Sequence, residues 1–144
     1  MHGRMHTISI KERDTLKIHE SAENYLETIY ILSKKKSEVR SIDIVNELHF
    51  SKPSISVAMK NLRENGYIIM DKDGFITLTD AGKEIALTIY ERHVLLSEWL
   101  IHLGVDEKTA LDDACRIEHV ISAESFEAIK RHVTQGRKMQ AENE

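Results

Sequence analysis

The chain has 144 residues, of which 41% are hydrophobic and 31% charged, and its formal net charge is −4. These values are typical of a globular protein with one domain, or a small domain plus an extension. The single cysteine, Cys115, excludes an intrachain disulfide and a four-cysteine zinc site. No segment approaches the roughly 18 apolar residues of a membrane span. One proline and six glycines favour helices over an all-β fold. Separately, we expect a cytoplasmic protein.

Charge is unevenly distributed along the chain. Residues 34–83 carry nine basic and seven acidic side chains, whereas residues 84–144 carry seven basic and twelve acidic ones. A mildly basic first half and an acidic second half fit a DNA-binding part joined to a part with another task.

The first predicted helix follows a polar segment without a clear period, residues 1–20, which we expect to be a mobile extension that is partly helical near Asp14–Glu20. Ser21 is a good N-cap residue, and apolar residues then recur at helical spacing until the basic run 34–36. These apolar residues are Ala22, Tyr25, Leu26, Ile29, Tyr30 and Leu32.

Two short helices follow, separated by a turn at His49 and Phe50. The first is predicted over Ser41–Leu48, with Ser41 as its cap and Ile42, Ile44, Val45 and Leu48 turned inward. Ser51 caps the second, and Pro53 lies in its first turn, where a missing N–H costs nothing. Its apolar residues are Ile55, Val57, Ala58, Met59 and Leu62, and Gly66 is well placed to end it.

The remaining pattern predicts a β-hairpin and three further helices. Two β-rich runs, residues 67–70 and 75–78, flank a turn that ends in Asp73-Gly74. Thr79 caps a long helix that continues to about His102, and Gly104 breaks it. Two more helices are expected at residues 106–120 and 122–132, followed by a frayed tail, residues 135–144.

Helix, turn, helix and hairpin in this order are typical of a winged helix-turn-helix, whose second helix enters the major groove with its N-terminal end nearest the bases. Hydroxyl groups and helix N-terminal N–H groups suit contacts with phosphates and base edges. The residues that we expect to contact DNA are Ser51, Lys52, Pro53, Ser54, Ser56, Lys60 and, in the wing, Lys72. The alternative is that the Ser-Lys-Pro-Ser segment only caps a helix.

The second half contains a pattern typical of a metal site. Cys115, Glu118 and His119 are spaced i, i+3 and i+4, which puts a thiol, a carboxylate and an imidazole on one helix face. All three groups are ligands of first-row divalent metals. His93 could supply a second imidazole. Taken singly, each residue is more often structural, since a lone helical cysteine is usually a small buried hydrophobe.

Five segments resemble the diphtheria-toxin-repressor family of metal-dependent transcriptional repressors. They are Ser21-Ala-Glu-Asn-Tyr-Leu-Glu-Thr-Ile-Tyr, Ser51-Lys-Pro-Ser-Ile-Ser, Leu78-Thr-Asp-Ala-Gly-Lys, Glu91-Arg-His and Ala114-Cys-Arg-Ile-Glu-His-Val-Ile-Ser. The resemblance is closest to the short members without an SH3-like third domain. It implies a mainly α protein, with a winged helix-turn-helix DNA-binding domain at residues 21–79 and an all-helical metal-binding and dimerisation domain at residues 80–134.

The resemblance also implies a metal-ligand set, which comprises Asn24, Glu27, His93, Cys115, Glu118 and His119. Asn24 replaces a methionine of the iron-type pattern and an aspartate of the manganese-type pattern. Cys115 matches the iron type and Glu27 the manganese type. A thiolate beside imidazoles favours softer metals, so we expect Fe(II), then Mn(II), with Zn(II) or Co(II) possible in vitro.

The predicted function is therefore a homodimeric repressor that is not an enzyme and that binds operator DNA when a divalent metal is bound, in the service of metal homeostasis. A metal held by ligands from both domains would fix the spacing of the two recognition helices, about 34 Å for successive major grooves. The alternative is a winged-helix regulator that responds to an organic ligand or a protein partner. A metalloenzyme would need a positioned general base, for which the sequence offers no evident candidate. A purely structural dimer module would give no function to the serines of residues 51–56.

Overall fold

The computed structural model describes residues 10–142, with side-chain packing from residue 20 onward. The described residues form six helices and one two-stranded sheet. These are α1 (Ile10–Lys35), α2 (Ser41–Leu48), α3 (Lys52–Glu64), β1 (Ile68–Met70), β2 (Ile76–Leu78), α4 (Asp80–His102), α5 (Glu107–Val120) and α6 (Ala123–Glu142). The chain divides after Ala86 into an N-terminal unit and a helical unit. Among the described helices, none is both long and apolar enough to cross a membrane.

The N-terminal unit is built around one apolar core. Helix α1 contributes Leu26, Ile29 and Leu32, which are buried as their helical spacing predicts. The other elements of the unit cover this face of α1 with Val39, Ile44, Ile55, Met59, Leu62, Ile68, Ile76 and Ala86. The core therefore holds α2, α3 and the hairpin against α1, and α3 is positioned by its buried face.

The hairpin pairs β1 and β2 antiparallel, with Ile69 opposite Thr77. Its turn is organised by Asp71, whose carboxylate accepts hydrogen bonds from the N–H groups of Asp73 and Phe75, each at 2.9 Å. Gly74 has φ 82°, a left-handed conformation that glycine adopts without steric cost. The backbone N–H of Ile76 also donates to the carbonyl of Val39 at 2.7 Å. The predicted wing is confirmed as a rigid hairpin joined to the loop before α2.

The base of the hairpin is closed by the start of α4. Thr79 donates its hydroxyl proton to the carbonyl of Gly66 at 2.7 Å and accepts from the N–H of Gly82 at 3.2 Å. A Cβ at Gly82 would collide with the carbonyl oxygen of Tyr67. Glycine at this position is therefore required by the close approach of two backbone segments.

The helical unit packs α4, α5 and α6 around a smaller apolar cluster. Leu96, Ala114 and Phe126 are buried at its centre, one from each helix. The partly buried side chains around them are Leu95, Trp99, Ile117, Ile121 and Ile129. Two exposed ion pairs, Glu91–Lys130 at 2.5 Å and Glu98–Arg137 at 2.7 Å, connect α4 to α6.

Several predicted boundaries and orientations are wrong. Helix α1 begins by Ile10, so Ser21 lies inside a helix and does not cap it. Helix α6 continues to Glu142 through the segment predicted as a tail. Ile42, predicted to face inward, is exposed. The expected extension overlaps α1, and its first nine residues lie outside the described part of the chain.

Candidate metal centre and DNA-binding surface

Glu118 is the most deeply buried charged side chain among the described residues, with 0% of its surface exposed. It lies on α5 in line with Ala110 and Ala114, which are also fully buried. These positions are four residues apart, so they form one ridge of the helix. The Glu118 side chain is therefore enclosed by protein and excluded from water.

Two imidazoles approach the Glu118 carboxylate, one at each oxygen. His93 of α4 places Nδ1 2.9 Å from Oε2 of Glu118. His119 places Nε2 3.3 Å from Oε1. The His119 side chain is 10% exposed and that of His93 is 26% exposed. A carboxylate and two imidazoles therefore meet in a site with little access to water.

The backbone around this cluster is fixed by Arg92, the neighbour of His93. Its guanidinium donates hydrogen bonds to the carbonyls of Glu118 at 3.1 Å and Ile121 at 3.0 Å. Carbonyls at a helix C-terminus lack intrahelical partners and carry partial negative charge. Arg92 supplies both the missing donors and the complementary charge. Ser97, one turn later on α4, donates to the carbonyl of His93 at 2.7 Å.

This donor set fits a divalent first-row metal. Imidazole nitrogens and carboxylate oxygens are ligands that Fe, Mn, Co and Zn all accept. A buried carboxylate is costly without a positive partner, and the penalty is several kcal/mol per ion. A divalent cation in this position would offset the cost of burying the carboxylate, with His93, Glu118 and His119 as the residues of the helical unit able to hold it.

The other predicted ligands differ in their exposure. Glu27 of α1 is buried, which is unusual for a carboxylate, and Asn24 is half-buried one turn earlier. Cys115 is exposed on α5, although its spacing from His119 predicts the same helix face. It follows the buried Ala114 and turns toward solvent, so the structure does not bear out a buried structural thiol there. Its role as a ligand stays a prediction.

The predicted DNA-contacting residues all lie on the surface of the N-terminal unit. Ser51 caps α3, since its hydroxyl oxygen accepts from the N–H of Ser54 at 3.3 Å and its proton is donated to the Ser54 hydroxyl at 2.8 Å. Lys60 forms a 3.9 Å ion pair with Glu64. Exposed side chains are found at every predicted position, namely Ser51, Lys52, Pro53, Ser54, Ser56, Lys60 and Lys72. The surface is thus accessible to a large ligand.

Two residues of these regions were not singled out by sequence reasoning. Arg92 lies in the Glu91-Arg-His segment but had no role assigned to it, and only the packing of α4 on α5 reveals its contact with two carbonyls. Val57 was counted among the apolar residues of α3, yet it is 60% exposed. Its position midway between the buried Ile55 and Met59 is the signal that could have revealed its outward orientation.

Fold and site together define a DNA-binding protein with a winged helix-turn-helix and a helical domain whose side chains could hold a metal. Family models match both parts. Residues 17–75 match "Iron dependent repressor, N-terminal DNA binding domain". Residues 79–139 match "Iron dependent repressor, metal binding and dimerisation domain".

Individual relatives agree with these matches. The HTH-type transcriptional regulator MntR of Bacillus pumilus is 36% identical over 109 residues, which cover 76% of each chain. An HTH-type transcriptional regulator of Methanocaldococcus jannaschii is 34% identical over 113 residues, 77% of this chain and 90% of that one. A solved manganese-dependent transcriptional repressor in complex with manganese has a TM-score of 0.72 and 27% identity, over 78% of this chain and 52% of that chain. This chain thus spans about half the length of that solved structure.

The chain belongs to the iron-dependent repressor family of metal-dependent transcriptional regulators. Its expected mainly α fold, with a DNA-binding domain followed by a helical dimerisation domain, is confirmed. Members of this family are repressors and not enzymes, as the sequence predicts.

Proposed function

We propose that this protein is a homodimeric repressor that binds operator DNA when a divalent metal is bound and so controls metal homeostasis in the cytoplasm. The observation that carries the proposal is the buried Glu118 carboxylate between the imidazoles of His93 and His119. A site of this chemistry, in the same chain as an exposed recognition helix, joins a metal signal to a DNA-binding output.

The proposed ligand set is the one that the family resemblance implies. It combines His93, Glu118 and His119 with Asn24, Glu27 and Cys115. The burial of Glu27 supports its inclusion, because buried carboxylates in proteins are commonly paired or coordinate a metal. Ligands from both parts of the chain would let the metal select one arrangement of the dimer from a looser ensemble.

The proposed DNA contacts are made by the N-terminal end of α3 and by the wing. The hydroxyls of Ser51, Ser54 and Ser56 suit phosphates and base edges, and Lys52, Lys60 and Lys72 suit phosphates. Pro53 sits in the first turn of α3 without removing a helical hydrogen bond. Two such helices in a dimer must lie about 34 Å apart to enter successive major grooves.

For the metal, we propose Fe(II) first and Mn(II) next, with Zn(II) or Co(II) able to bind in vitro. A Cys115 thiolate would favour the softer ion. Two carboxylates and the carbonyl oxygen of Asn24 favour the harder one, in keeping with the manganese-dependent repressor to which the chain is similar.

The test is operator binding measured by fluorescence anisotropy in anaerobic buffer. Metal is first removed from the protein with a chelator. The metal-free protein is then mixed with a DNA site selected from a random pool and titrated with Fe(II), Mn(II), Co(II) and Zn(II). We expect a steep gain in affinity with Fe(II) and Mn(II) that His119→Ala abolishes. His132→Ala is the matched control, since this histidine is exposed on α6.

Two outcomes would contradict the proposal. DNA binding that is equally tight with and without all four metals would leave a winged-helix regulator of another signal, such as an organic ligand or a protein partner. A metal response that survives His119→Ala would exclude the proposed ligand set.

A further inference from the structure

The DNA-facing side of α3 carries an apolar side chain at its centre. Val57 is 60% exposed, although it lies in the middle of a 13-residue helix with a well-formed core face. Ile55, Met59 and Leu62 are the buried residues of this helix. Successive residues are rotated by about 100°, so Val57 lies about 200° from Ile55 and points away from the core.

Val57 is continuous with the surface proposed to contact DNA. Ser54 lies one turn before it, and both residues line the same cavity of about 280 Å³ between α1 and α3. Lys60 lies on the next turn and is exposed, as is Lys52 at the start of the helix. The first turn of α3 contains no acidic residue. The exposed neighbours of Val57 along α3 are therefore basic and polar, which suits a polyanion, while the cavity beside it also has an apolar lining from Ala22, Ala58 and Leu62.

The chemistry of valine limits what Val57 can recognise. Its side chain has no hydrogen-bonding group and therefore cannot pair with the donors and acceptors of base edges. Among the four bases of DNA, only thymine presents an apolar group in the major groove, its C5-methyl. Burial of an exposed methyl against another apolar group is favourable, whereas burial against a polar edge leaves that edge without its partner.

We propose that Val57 is a specificity-determining residue that contacts the C5-methyl group of a thymine in each operator half-site. The inference rests on the proposed function, because it requires α3 to enter the major groove. It adds a base preference that the serines and lysines of α3 do not supply, since hydroxyls contact either partner of a base pair and lysines contact phosphates.

The test uses metal-loaded protein and a DNA site selected from a random pool. Each thymine of the site is replaced by deoxyuridine, symmetrically in both half-sites, which removes only the methyl group. We expect one thymine position at which the wild-type affinity falls about four-fold per methyl, the factor that burial of one such group is worth. For Val57→Ala, the same replacement should change the affinity by less than two-fold.

Val120→Ala is the matched control, because this valine is 69% exposed and lies on α5. It should retain the wild-type ratio between thymine and deoxyuridine sites. The proposal is overturned if no thymine position is sensitive, or if Val57→Ala is as sensitive as the wild type. In either case metal-dependent DNA binding, and with it the proposed function, would still stand. Failure to select any DNA would instead overturn the proposed function.

Discussion

The N-terminal unit and the helical unit carry their functional side chains in opposite places. In the N-terminal unit the core is apolar and the predicted DNA contacts, such as Ser54 and Lys60, are exposed. In the helical unit the candidate metal ligands Glu118 and His119 lie inside, next to the apolar cluster around Ala114. DNA recognition and folding use different residues in the first unit, where Glu27 is the only buried candidate ligand. In the second unit the candidate ligands and the core residues are neighbours.

This difference determines what a substitution reports. A change at an exposed position of α3 is expected to alter DNA binding with little effect on the free energy of unfolding, which at such sites usually moves by less than about 0.5 kcal/mol. A change at a buried ligand alters metal affinity and stability together. The single tryptophan, Trp99, lies in the helical unit. Its fluorescence therefore follows that unit, while circular dichroism follows the helices of both.

The largest effect is expected for Glu118→Gln, which keeps the shape of the buried side chain but removes its charge. Metal affinity should fall on the order of 100-fold, since the lost carboxylate is the group that both imidazoles approach. At a metal concentration of 100 times the wild-type Kd, the wild type should gain about 2.7 kcal/mol of stability and the variant about 0.4 kcal/mol. Urea unfolding monitored by Trp99 fluorescence measures both gains. The exposed Glu124→Gln should behave as the wild type, and an equal gain in E118Q would exclude Glu118 as a ligand.

The next effect concerns the N-terminal unit. Gly82→Ala should reduce its stability by about 1–3 kcal/mol, because the added Cβ would overlap the carbonyl oxygen of Tyr67. Circular dichroism in urea should show an earlier transition, while Trp99 fluorescence changes little. Gly136→Ala on α6 is the matched control. Its added Cβ meets nothing within 4 Å, so the helix should gain about 0.5–1 kcal/mol. Equal transitions for G82A and the wild type would refute the backbone contact.

A smaller effect distinguishes capping from recognition. Ser51→Ala removes the cap of α3, and Ser122→Ala removes the hydroxyl that accepts from the N–H of Ser125 at the start of α6. Each should cost about 1 kcal/mol of stability. Only Ser51→Ala should also weaken operator binding, by about five-fold, the factor expected for one lost hydrogen bond. If both variants weaken DNA binding equally, Ser51 acts only as a helix cap.

The smallest effect depends on pH. The hydrogen bond from the Lys36 ammonium, at 2.5 Å, and then that from the Arg40 N–H hold the pKa of Asp43 below its usual value of 3.8. The resulting stabilisation is present above that value and is lost as the pH falls through the lowered pKa. Lys36→Met should therefore cost less than about 1 kcal/mol at neutral pH, and less still at an acidic pH below 3.8. Urea unfolding at the two pH values tests this, with Lys35→Met as the control. A loss that persists at low pH would point to another cause.

Elements whose ends are marked by capping or turn residues could be predicted from the sequence. Ser51, Pro53 and Gly66 mark the ends of α3, and Asp73-Gly74 marks the hairpin, because capping and left-handed turns are set by these residues themselves. The start of α1 could not be placed. Residues 10–20 contain neither glycine nor proline, so no residue prevents the helix from continuing upstream of Ser21. The end of α6 was missed because Gly136 is tolerated inside the helix.

The candidate metal centre could be predicted only in part. The spacing of Cys115 from Glu118 and His119 predicts one helix face. Glu118 and His119 do meet, together with His93, whereas Cys115 is exposed. Nothing in the local pattern predicts that Arg92 binds the end of α5. Its partners, the carbonyls of Glu118 and Ile121, lie 26 and 29 positions further along the chain. Likewise, the outward orientation of Val57 depends on which face of α3 the core covers.

The outward face of α3 has a consequence for how such regulators diversify. Because Val57 and Ser54 support no part of the core, single substitutions there can alter the preferred operator without a stability penalty that selection would remove. After a gene duplication, two copies could acquire different target promoters through a few neutral steps. A change of metal would require replacements among the candidate ligands, of which Glu27 and Glu118 are buried. In such lineages, we expect the preferred operator sequence to change faster than the preferred metal.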